Sequence, residues 1–323
     1  MRPLYRNALP QLDGRLYLTD GGIETTLIFH QGIELTDFAA FDLLRRPGGE
    51  AALREYFRSY ARLAARFKAG LILESATWRA SADWGLRLGY SPRDLEQVNR
   101  RAIEMLERIR EELSETSTIA VISGCIGPRG DGYQPERMMT VDQARRYHSV
   151  QIETFAGTAA DMVSAITMNY VQESVGIAQA AREAHMPVAI SFTVETDGRL
   201  PTGQPLKDAI ERVDEVTGAY PSYYMLNCAH PEHFDPVLGR EPWTSRIRGL
   251  RANASRKSHA ELNESTELDI GNPAELGAQY AELKLRRLPK LNVVGGCCGT
   301  DQRHVEHIAS ACAPLFNPRG GMA

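Results

Sequence analysis

Short apolar runs alternate with longer amphipathic segments from one end of the chain to the other. Apolar runs of this length predict strands, and the amphipathic segments predict helices. The strands are predicted at residues 16–19, 71–76, 119–123, 162–167, 188–193, 223–227, 247–252 and 291–294. The helices are predicted at residues 51–69, 94–114, 141–159, 170–184, 205–217, 231–238, 273–287 and 302–312.

Several of the predicted helices carry recognisable start signals. Ser91-Pro92 and Asn272-Pro273 each place an N-cap residue before a proline at the first helical position. Thr140 is suited to cap the helix that begins at Val141.

Eight strands that alternate with eight helices predict the α/β class, as a parallel TIM (β/α)₈ barrel. A length of 323 residues is normal for such a barrel, so we expect one domain over residues 1–323. The alternative is a doubly wound open sheet, although no Gly-x-Gly-x-x-Gly follows the first strand. Residues 254–270 are polar and charged and predict a long exposed loop.

Composition and charge narrow the possible functions. A formal net charge of −4 gives no support for nucleic-acid binding. No stretch approaches the roughly 20 apolar residues of a membrane helix, and the N-terminus lacks the apolar core of a signal peptide. The five cysteines are an odd number without the spacing of a disulfide scaffold. We therefore expect reduced thiols in a cytoplasmic enzyme, with neither nucleic acid nor membrane as a partner.

The most informative motif follows the last predicted strand and reads Gly295-Gly296-Cys297-Cys298-Gly299-Thr300. Adjacent cysteines do not readily bond to each other, but together they can bind one metal ion. A third ligand is available in Asn227-Cys228, which ends the sixth predicted strand. Three thiolates suggest Zn²⁺, and three protein ligands leave the fourth position open, as in catalytic sites.

The predicted barrel brings these cysteines together. Cys228 ends the sixth strand, and Cys297 and Cys298 follow the eighth. Both positions lie on the C-terminal face, where barrel enzymes have their active sites.

At these residues the chain resembles the homocysteine S-methyltransferase family, which includes enzymes that use betaine or S-methylmethionine. The family's signature matches Asn227-Cys228 and the double-cysteine motif. Three further motifs match its barrel loops. They are Asp20-Gly21-Gly22 after the first strand, Glu74-Ser75-Ala76-Thr77-Trp78 after the second, and Gly127-Pro128-Arg129-Gly130 after the third.

The resemblance implies a homocysteine S-methyltransferase that forms methionine. Zn²⁺ on the three cysteines would bind the acceptor thiol and remove its proton. The donor would be a small cationic molecule, such as S-methylmethionine, S-adenosylmethionine or a betaine. Asp20 is expected to hold the acceptor's amino group, and Gly21 and Gly22 to let the backbone approach it. The alternative interpretation is that this triplet is simply a turn after a strand.

One position departs from the family pattern. Many members have a glutamate near the end of the fourth strand that also binds the amino group, and Ile166 stands there in this chain. Glu24, Glu74 and Glu195 are candidates to compensate, and Thr77 completes the expected substrate-binding set. Because of this departure, an acceptor thiol other than homocysteine remains an alternative.

Two other functions remain open. One is a methyltransferase or demethylase that uses the same chemistry on another thiol. The other is a non-catalytic zinc or redox-sensing protein. The oligomeric state is expected to be a monomer or a small homo-oligomer, with a thiol acceptor and a methyl donor as the small-molecule partners.

The remaining chemistry-bearing residues favour structural roles. We expect Cys125 to be a small buried thiol and Cys312 to be structural. His304 and His307 are expected on a solvated helix face rather than at a metal ion. Arg129 either meets a substrate carboxylate or lies on the surface, and the surface position is favoured.

The aromatic residues that follow the second strand have two interpretations. Trp78, Trp84 and Tyr90 would cradle a cationic donor through cation–π contacts, or they would pack the loop.

Overall fold

Eight parallel strands close into a barrel in the computed structural model, which describes residues 2–135, 137–265 and 267–316. The strands pair in sequence order, and β1 also pairs with β8. Their bounds are Tyr17–Leu18 (β1), Gly70–Glu74 (β2), Ala120–Ile126 (β3), Met162–Met168 (β4), Val188–Phe192 (β5), Tyr223–Asn227 (β6), Ile247–Ala252 (β7) and Val293–Gly296 (β8). The predicted barrel is confirmed, and the doubly wound alternative is wrong because the sheet has no open edge.

The helices surround the barrel and cover the outer faces of its strands. Their bounds are Gly49–Phe67 (α1), Ala82–Arg87 (α2), Pro92–Leu113 (α3), Val141–Ala156 (α4), Val171–Glu183 (α5), Leu206–Thr217 (α6), Pro231–Phe234 (α7), His259–Glu264 (α8), Pro273–Arg286 (α9) and Gln302–Cys312 (α10). All eight predicted helices are present. The short helices α2 and α8 were not predicted. No helix in the described part of the chain combines the length and the apolar character that a bilayer crossing needs.

The predicted start signals act as N-caps. The side chain of Ser91 accepts from the Asp94 N–H, and that of Asn272 accepts from the N–H groups of Ala274 and Glu275. The Thr140 side chain accepts from the Gln143 N–H, and the Gln143 side chain accepts from the Thr140 N–H. Such reciprocal caps satisfy backbone donors that the first helical turn leaves unpaired.

Two apolar layers hold the barrel. The larger layer lies between strands and helices, and includes Leu53, Ile103, Phe155 and Leu226. The inner layer fills the barrel with side chains that alternate with the outer set along each strand. Its members include Tyr17, Ile72, Val121, Met162, Ile166, Tyr223, Met225 and Val293. These side chains fill the barrel interior.

The prediction for residues 254–270 is wrong in one respect. The segment is not only an exposed loop, because it contains α8 and returns side chains to the barrel mouth. Ser258 and Glu261 cap α8 reciprocally, and Ser255 is buried. The polar composition of the segment reflects these hydrogen bonds as well as contact with solvent.

Candidate metal centre and active site

Three cysteine sulfur atoms converge at the C-terminal end of the barrel. Cys228 directly follows β6, and Cys297 and Cys298 directly follow β8. The three Sγ atoms lie within 4.8 Å of one another, and those of Cys228 and Cys298 are 3.9 Å apart. The sequence-based expectation of this cluster is met by the geometry.

Cys228 and Cys297 are joined as a disulfide, whereas Cys298 is a free thiol. This differs from the expectation that all five cysteines are reduced. The physical reason is proximity, since sulfur atoms that are close enough to share one metal ion are also close enough to bond when oxidised. The adjacent Cys297 and Cys298 do not bond to each other, as predicted.

Asn227 fixes the strand ends around Cys228. Its Oδ1 accepts from the backbone N–H of Thr167 at 2.9 Å and from the Ser191 hydroxyl at 2.6 Å. Its Nδ2 donates to the Thr167 hydroxyl at 2.8 Å. Thr167 and Cys228 both adopt left-handed backbone conformations, with φ of +66° and +55°. Such conformations persist only where the surrounding structure holds them. The side chain of Asn227 contributes to this by joining β4, β5 and β6 at the site.

The cysteine pair after β8 is held by backbone and side-chain contacts. The Cys297 N–H donates to the carbonyl of Ala252, and the Cys298 N–H donates to Oδ1 of Asn253. A Cβ on Gly22 would lie 2.6 Å from the Cys297 carbonyl oxygen. Gly22 is therefore required for the close approach of the first loop to the cysteines, whatever ligand is bound.

The cysteines face a cavity of about 420 Å³ at the barrel mouth. Of the expected substrate-binding residues, five line it, namely Asp20, Gly21, Gly22, Glu24 and Glu74. Ile166 also lines it, and its apolar side chain leaves the fourth strand without a carboxylate there.

Two of the expected substrate-binding residues have other positions. Thr77 is fully buried beside the cavity, where its hydroxyl donates to the Cys125 carbonyl at 2.7 Å. Glu195 follows β5 as expected, but it does not line the cavity and its Oε1 lies 3.1 Å from Nδ1 of His259. Each side chain has a partner within the protein and neither lines the cavity, so their contact with the substrate stays a prediction.

Asp20 has a charged partner that the sequence did not suggest. Nη2 of Arg251, at the end of β7, lies 2.6 Å from Oδ1 of Asp20, and the Tyr56 hydroxyl donates to Oδ2 at 2.8 Å. Burial lowers the pKa of Arg251, but attraction to Asp20 and Glu74 outweighs it and leaves the pKa raised. The guanidinium therefore stays charged. The one available signal was a pair of arginines within the apolar run of β7.

Two other carboxyl groups in the cavity have raised pKa values. Burial is the main cause for both Glu24 and Glu74, and it raises each pKa from 4.5 to about 7. Desolvation of this size is a feature of carboxyl groups at functional sites. Glu74 ends β2 and is 4% exposed, and its Oε2 has no hydrogen-bond partner among the described residues.

The aromatic cage is not formed, because an arginine occupies it. The Arg79 guanidinium lies 4.1 Å from the Trp78 ring centroid and 3.7 Å from that of Trp84. Tyr90 packs against Phe41 and donates to Asp42, away from the cavity. The second interpretation of these aromatics, loop packing, fits the contacts.

Tyr133 and His259 cover the cysteine cluster and were not predicted as site residues. Their rings stack with centroids 4.1 Å apart. The Tyr133 hydroxyl is 3.7 Å from Cys298 Sγ, and Nε2 of His259 is 2.5 Å from the Cys228 carbonyl oxygen. Tyr133 lies in the loop after β3 and His259 begins α8, but neither belongs to a motif identified in the sequence, so only the folded chain reveals them.

The other chemistry-bearing side chains are structural, with one correction. Cys125 and Cys312 are buried, as expected, and Cys125 also lines the cavity. His304 is not on a solvated face, because it is fully buried and its Nδ1 and Nε2 lie near Asp301 and the Ile270 carbonyl. His307 is exposed. Arg129 is a surface residue that pairs with Asp83 at 2.8 Å.

The donor set fits a divalent zinc ion once the disulfide is reduced. Tetrahedral Zn²⁺ with Zn–S bonds of about 2.3 Å separates neighbouring sulfur atoms by roughly 3.8 Å. The distance from Cys228 Sγ to Cys298 Sγ, 3.9 Å, matches this spacing. Cys298 is exposed to the cavity, so a fourth ligand would reach an ion there from that side.

Fold and site together define a (β/α)₈ barrel with a three-cysteine centre at its C-terminal end. Comparison with known proteins gives this class a family. Residues 17–312 match the homocysteine S-methyltransferase family, and the chain therefore belongs to this family of enzymes.

Individual relatives are distant. The chain is 25% identical over 190 residues to betaine–homocysteine S-methyltransferase 1 of Bos taurus, which covers 53% of this chain and 44% of the relative. It is 30% identical over 148 residues to the methionine synthase of Mycobacterium tuberculosis (strain ATCC 25618 / H37Rv), which covers 42% of this chain and 11% of the relative. The matches span less than half the length of either relative.

Solved structures share the fold over most of the chain. The homocysteine methyltransferase MmuM of Escherichia coli in its oxidized form has a TM-score of 0.72 and 19% identity. Its metallated form has a TM-score of 0.69 and 18% identity. Each match covers 94% of this chain and 98% of the other.

Proposed function

We propose that this chain is a zinc-dependent S-methyltransferase that transfers a methyl group to the thiol of homocysteine and forms methionine. The donor would be a small cation, such as S-methylmethionine, S-adenosylmethionine or a betaine. The observation that carries the proposal is the convergence of three cysteine sulfur atoms, all within 4.8 Å, in a cavity at the strand ends. Family membership supports the acceptor.

Cys228, Cys297 and Cys298 would hold the zinc ion. When bound, zinc would lower the pKa of the acceptor thiol, which is near 8.5 for a cysteine-like thiol. Most of the acceptor thiol is protonated at neutral pH, and this would otherwise limit the reaction. The three cysteines must be thiolates for this role, so the Cys228–Cys297 disulfide would first be reduced. A reducing compartment such as the cytoplasm suits this requirement.

The chain's own residues would position the reactants. Transfer needs the acceptor sulfur and the donor methyl carbon in line, and the cavity walls would supply this alignment. Three thiolates around Zn²⁺ leave a net charge of about −1, which favours a cationic donor. Glu24, partly exposed to the cavity, would add to this preference when ionised.

A second candidate is the same chemistry on a different thiol. Ile166 in the cavity and the Arg251–Asp20 ion pair both change the surroundings in which an amino group would bind. These two observations favour testing several acceptors beside homocysteine.

The test is a donor panel with reduced, zinc-loaded protein. Homocysteine is combined with S-methylmethionine, S-adenosylmethionine, glycine betaine or a methylfolate, and methionine is measured by mass spectrometry. We expect methionine from at least one cationic donor, and none after Cys298→Ala. Cys312→Ala, which removes a buried thiol outside the site, is the matched control and should stay active. No methionine from any donor would overturn homocysteine as the acceptor, and a parallel set of other thiols tests the second candidate.

A further inference from the structure

The carboxylate of Asp20 is already paired with a buried cation. Its Oδ1 lies 2.6 Å from Nη2 of Arg251, and its Oδ2 accepts from the Tyr56 hydroxyl at 2.8 Å. Both partners are buried, so water does not weaken the pair as it does at a surface. An ammonium group at Asp20 would meet the positive charge of Arg251.

Arg251 is itself fixed in this arrangement. Its Nε donates to the Gly296 carbonyl at 3.2 Å, and Nη2 also donates to the Gly21 carbonyl at 3.4 Å. The guanidinium is thus held between the first loop and the end of β8. Turning it away from Asp20 to admit an ammonium group would break these bonds in a buried place, which is costly.

Glu74 differs from Asp20 in having no ion pair of this kind among the described residues. Its side chain lines the same cavity, is almost fully buried, and leaves Oε2 without a hydrogen-bond partner among the described residues. Ser123 and Ser164 lie beside the carboxyl group, but hydroxyls do not neutralise a charge. A buried carboxylate with an unused oxygen is costly unless a cation binds it. Burial raises its pKa to about 7, and the charge of Arg251, which acts to lower this pKa, does not offset the burial.

We propose that Glu74, rather than Asp20, binds the ammonium group of the acceptor, so that this chain selects a thiol that carries an amino group. The inference rests on the proposed function, because it assigns a residue to the acceptor of that reaction. It also accounts for Ile166, since a carboxylate from β2 makes one from β4 unnecessary. In this arrangement Asp20 holds Arg251 in place at the cavity through their ion pair, and it does not contact the acceptor.

The test compares two thiols that differ only in the amino group. Homocysteine and 4-mercaptobutanoate share the thiol, the chain length and the carboxylate. Their affinities for the reduced, zinc-loaded protein are measured by calorimetry, which does not depend on methyl transfer. We expect the wild type to prefer homocysteine by about 10- to 100-fold, the effect of one charge-assisted hydrogen bond. Glu74→Gln should remove this preference, with 4-mercaptobutanoate bound as in the wild type.

Two further variants keep the result interpretable. Glu74→Asp retains the carboxylate and should retain a preference for homocysteine. Asp20→Asn should weaken both thiols to a similar extent, because it releases Arg251 without removing the ammonium partner. A loss of preference in Asp20→Asn but not in Glu74→Gln would overturn the assignment. So would a wild type that binds both thiols equally, or a Glu74→Gln variant that weakens both equally.

The Glu74 assignment and the proposed function predict different outcomes when either one is wrong. If the wild type methylates homocysteine but does not distinguish the two thiols, the Glu74 assignment is wrong and the proposed function stands. If the wild type binds neither thiol, the proposed acceptor class is wrong and the assignment falls with it.

Discussion

Nη2 of Arg251 lies 2.6 Å from Oδ1 of Asp20 beneath the three-cysteine cluster, and both side chains are almost fully buried. The pair joins the end of β7 to the first loop of the barrel. Arg251 also donates to the Gly296 carbonyl, one residue before the cysteine pair. The ion pair thus connects the cavity to the backbone that carries Cys297 and Cys298.

Loss of the Asp20 charge should destabilise the protein. Asp20→Asn leaves the buried guanidinium of Arg251 without its counter-charge, and removal of one partner of a buried pair costs about 3 kcal/mol or more. Urea unfolding measures the change. Asp13→Asn is the matched control, because Asp13 and Arg15 are also 2.6 Å apart but exposed, where such pairs contribute about 0–1 kcal/mol. Equal, small changes in both variants would contradict this account of the pair.

Asn227 should affect the zinc affinity as well as the stability of the protein. Asn227→Ala leaves the Thr167 N–H and the Ser191 hydroxyl without their acceptor. We expect a loss of about 2 kcal/mol in unfolding free energy and roughly a tenfold weaker zinc affinity. Asn99→Ala is the control, since Asn99 is another buried asparagine and donates to the carbonyls of Ala80 and Leu95, far along the chain from the cysteines. The control should lose stability but keep its zinc affinity. Unchanged zinc affinity in Asn227→Ala would contradict the positioning role.

Alkylation should distinguish the cysteines. With the Cys228–Cys297 disulfide intact, iodoacetamide should modify only Cys298 in the folded protein, because Cys125 and Cys312 are buried. Reduction should add Cys228 and Cys297 to the reactive set, and zinc should then protect all three. Peptide mass spectrometry identifies the modified residues. Modification of Cys125 at the rate of Cys298, or no protection by zinc, would count against the described site.

Glu74 should make stability depend on pH. Burial raises its pKa from 4.5 to about 7, so the folded chain holds this proton more tightly than the unfolded chain. The resulting stabilisation is full below about pH 4.5 and is lost as the pH rises through 7. Relative to Glu74→Gln, the wild type should lose about 2–3 kcal/mol of unfolding free energy between pH 5 and pH 8. A pKa shift of one unit corresponds to about 1.4 kcal/mol. Urea unfolding at both pH values gives the difference, and parallel behaviour of the two proteins would refute the raised pKa.

Much of the fold was predictable because it depends on local patterns. The period of the apolar residues and the caps at Ser91, Thr140 and Asn272 define strands and helices without reference to distant contacts. Helix α8 was missed because its polar sequence has no apolar face of the usual width. His304 was misassigned because its burial depends on the segment that ends at Ile270, which packs on α10.

The cysteine cluster was predictable, whereas most of the cavity was not. Strand ends in a barrel meet on one face, so motifs after β6 and β8 suffice to bring the cysteines together. Pairing between distant side chains has no such rule. The partners of Asp20 and Cys298 (Arg251 and Tyr133) come from other loops and strands, and only the folded chain relates them.

The central claim is that an acceptor thiol completes a metal site built from three cysteines. X-ray absorption at the zinc edge tests it most directly, with reduced, zinc-loaded protein before and after addition of homocysteine. We expect three sulfur ligands and one lighter atom before addition, and four sulfur ligands afterwards, at Zn–S distances of about 2.3 Å. Cys312→Ala should give the same spectra as the wild type. A zinc environment that does not change when homocysteine is added, or one without the three sulfur ligands, would contradict the claim.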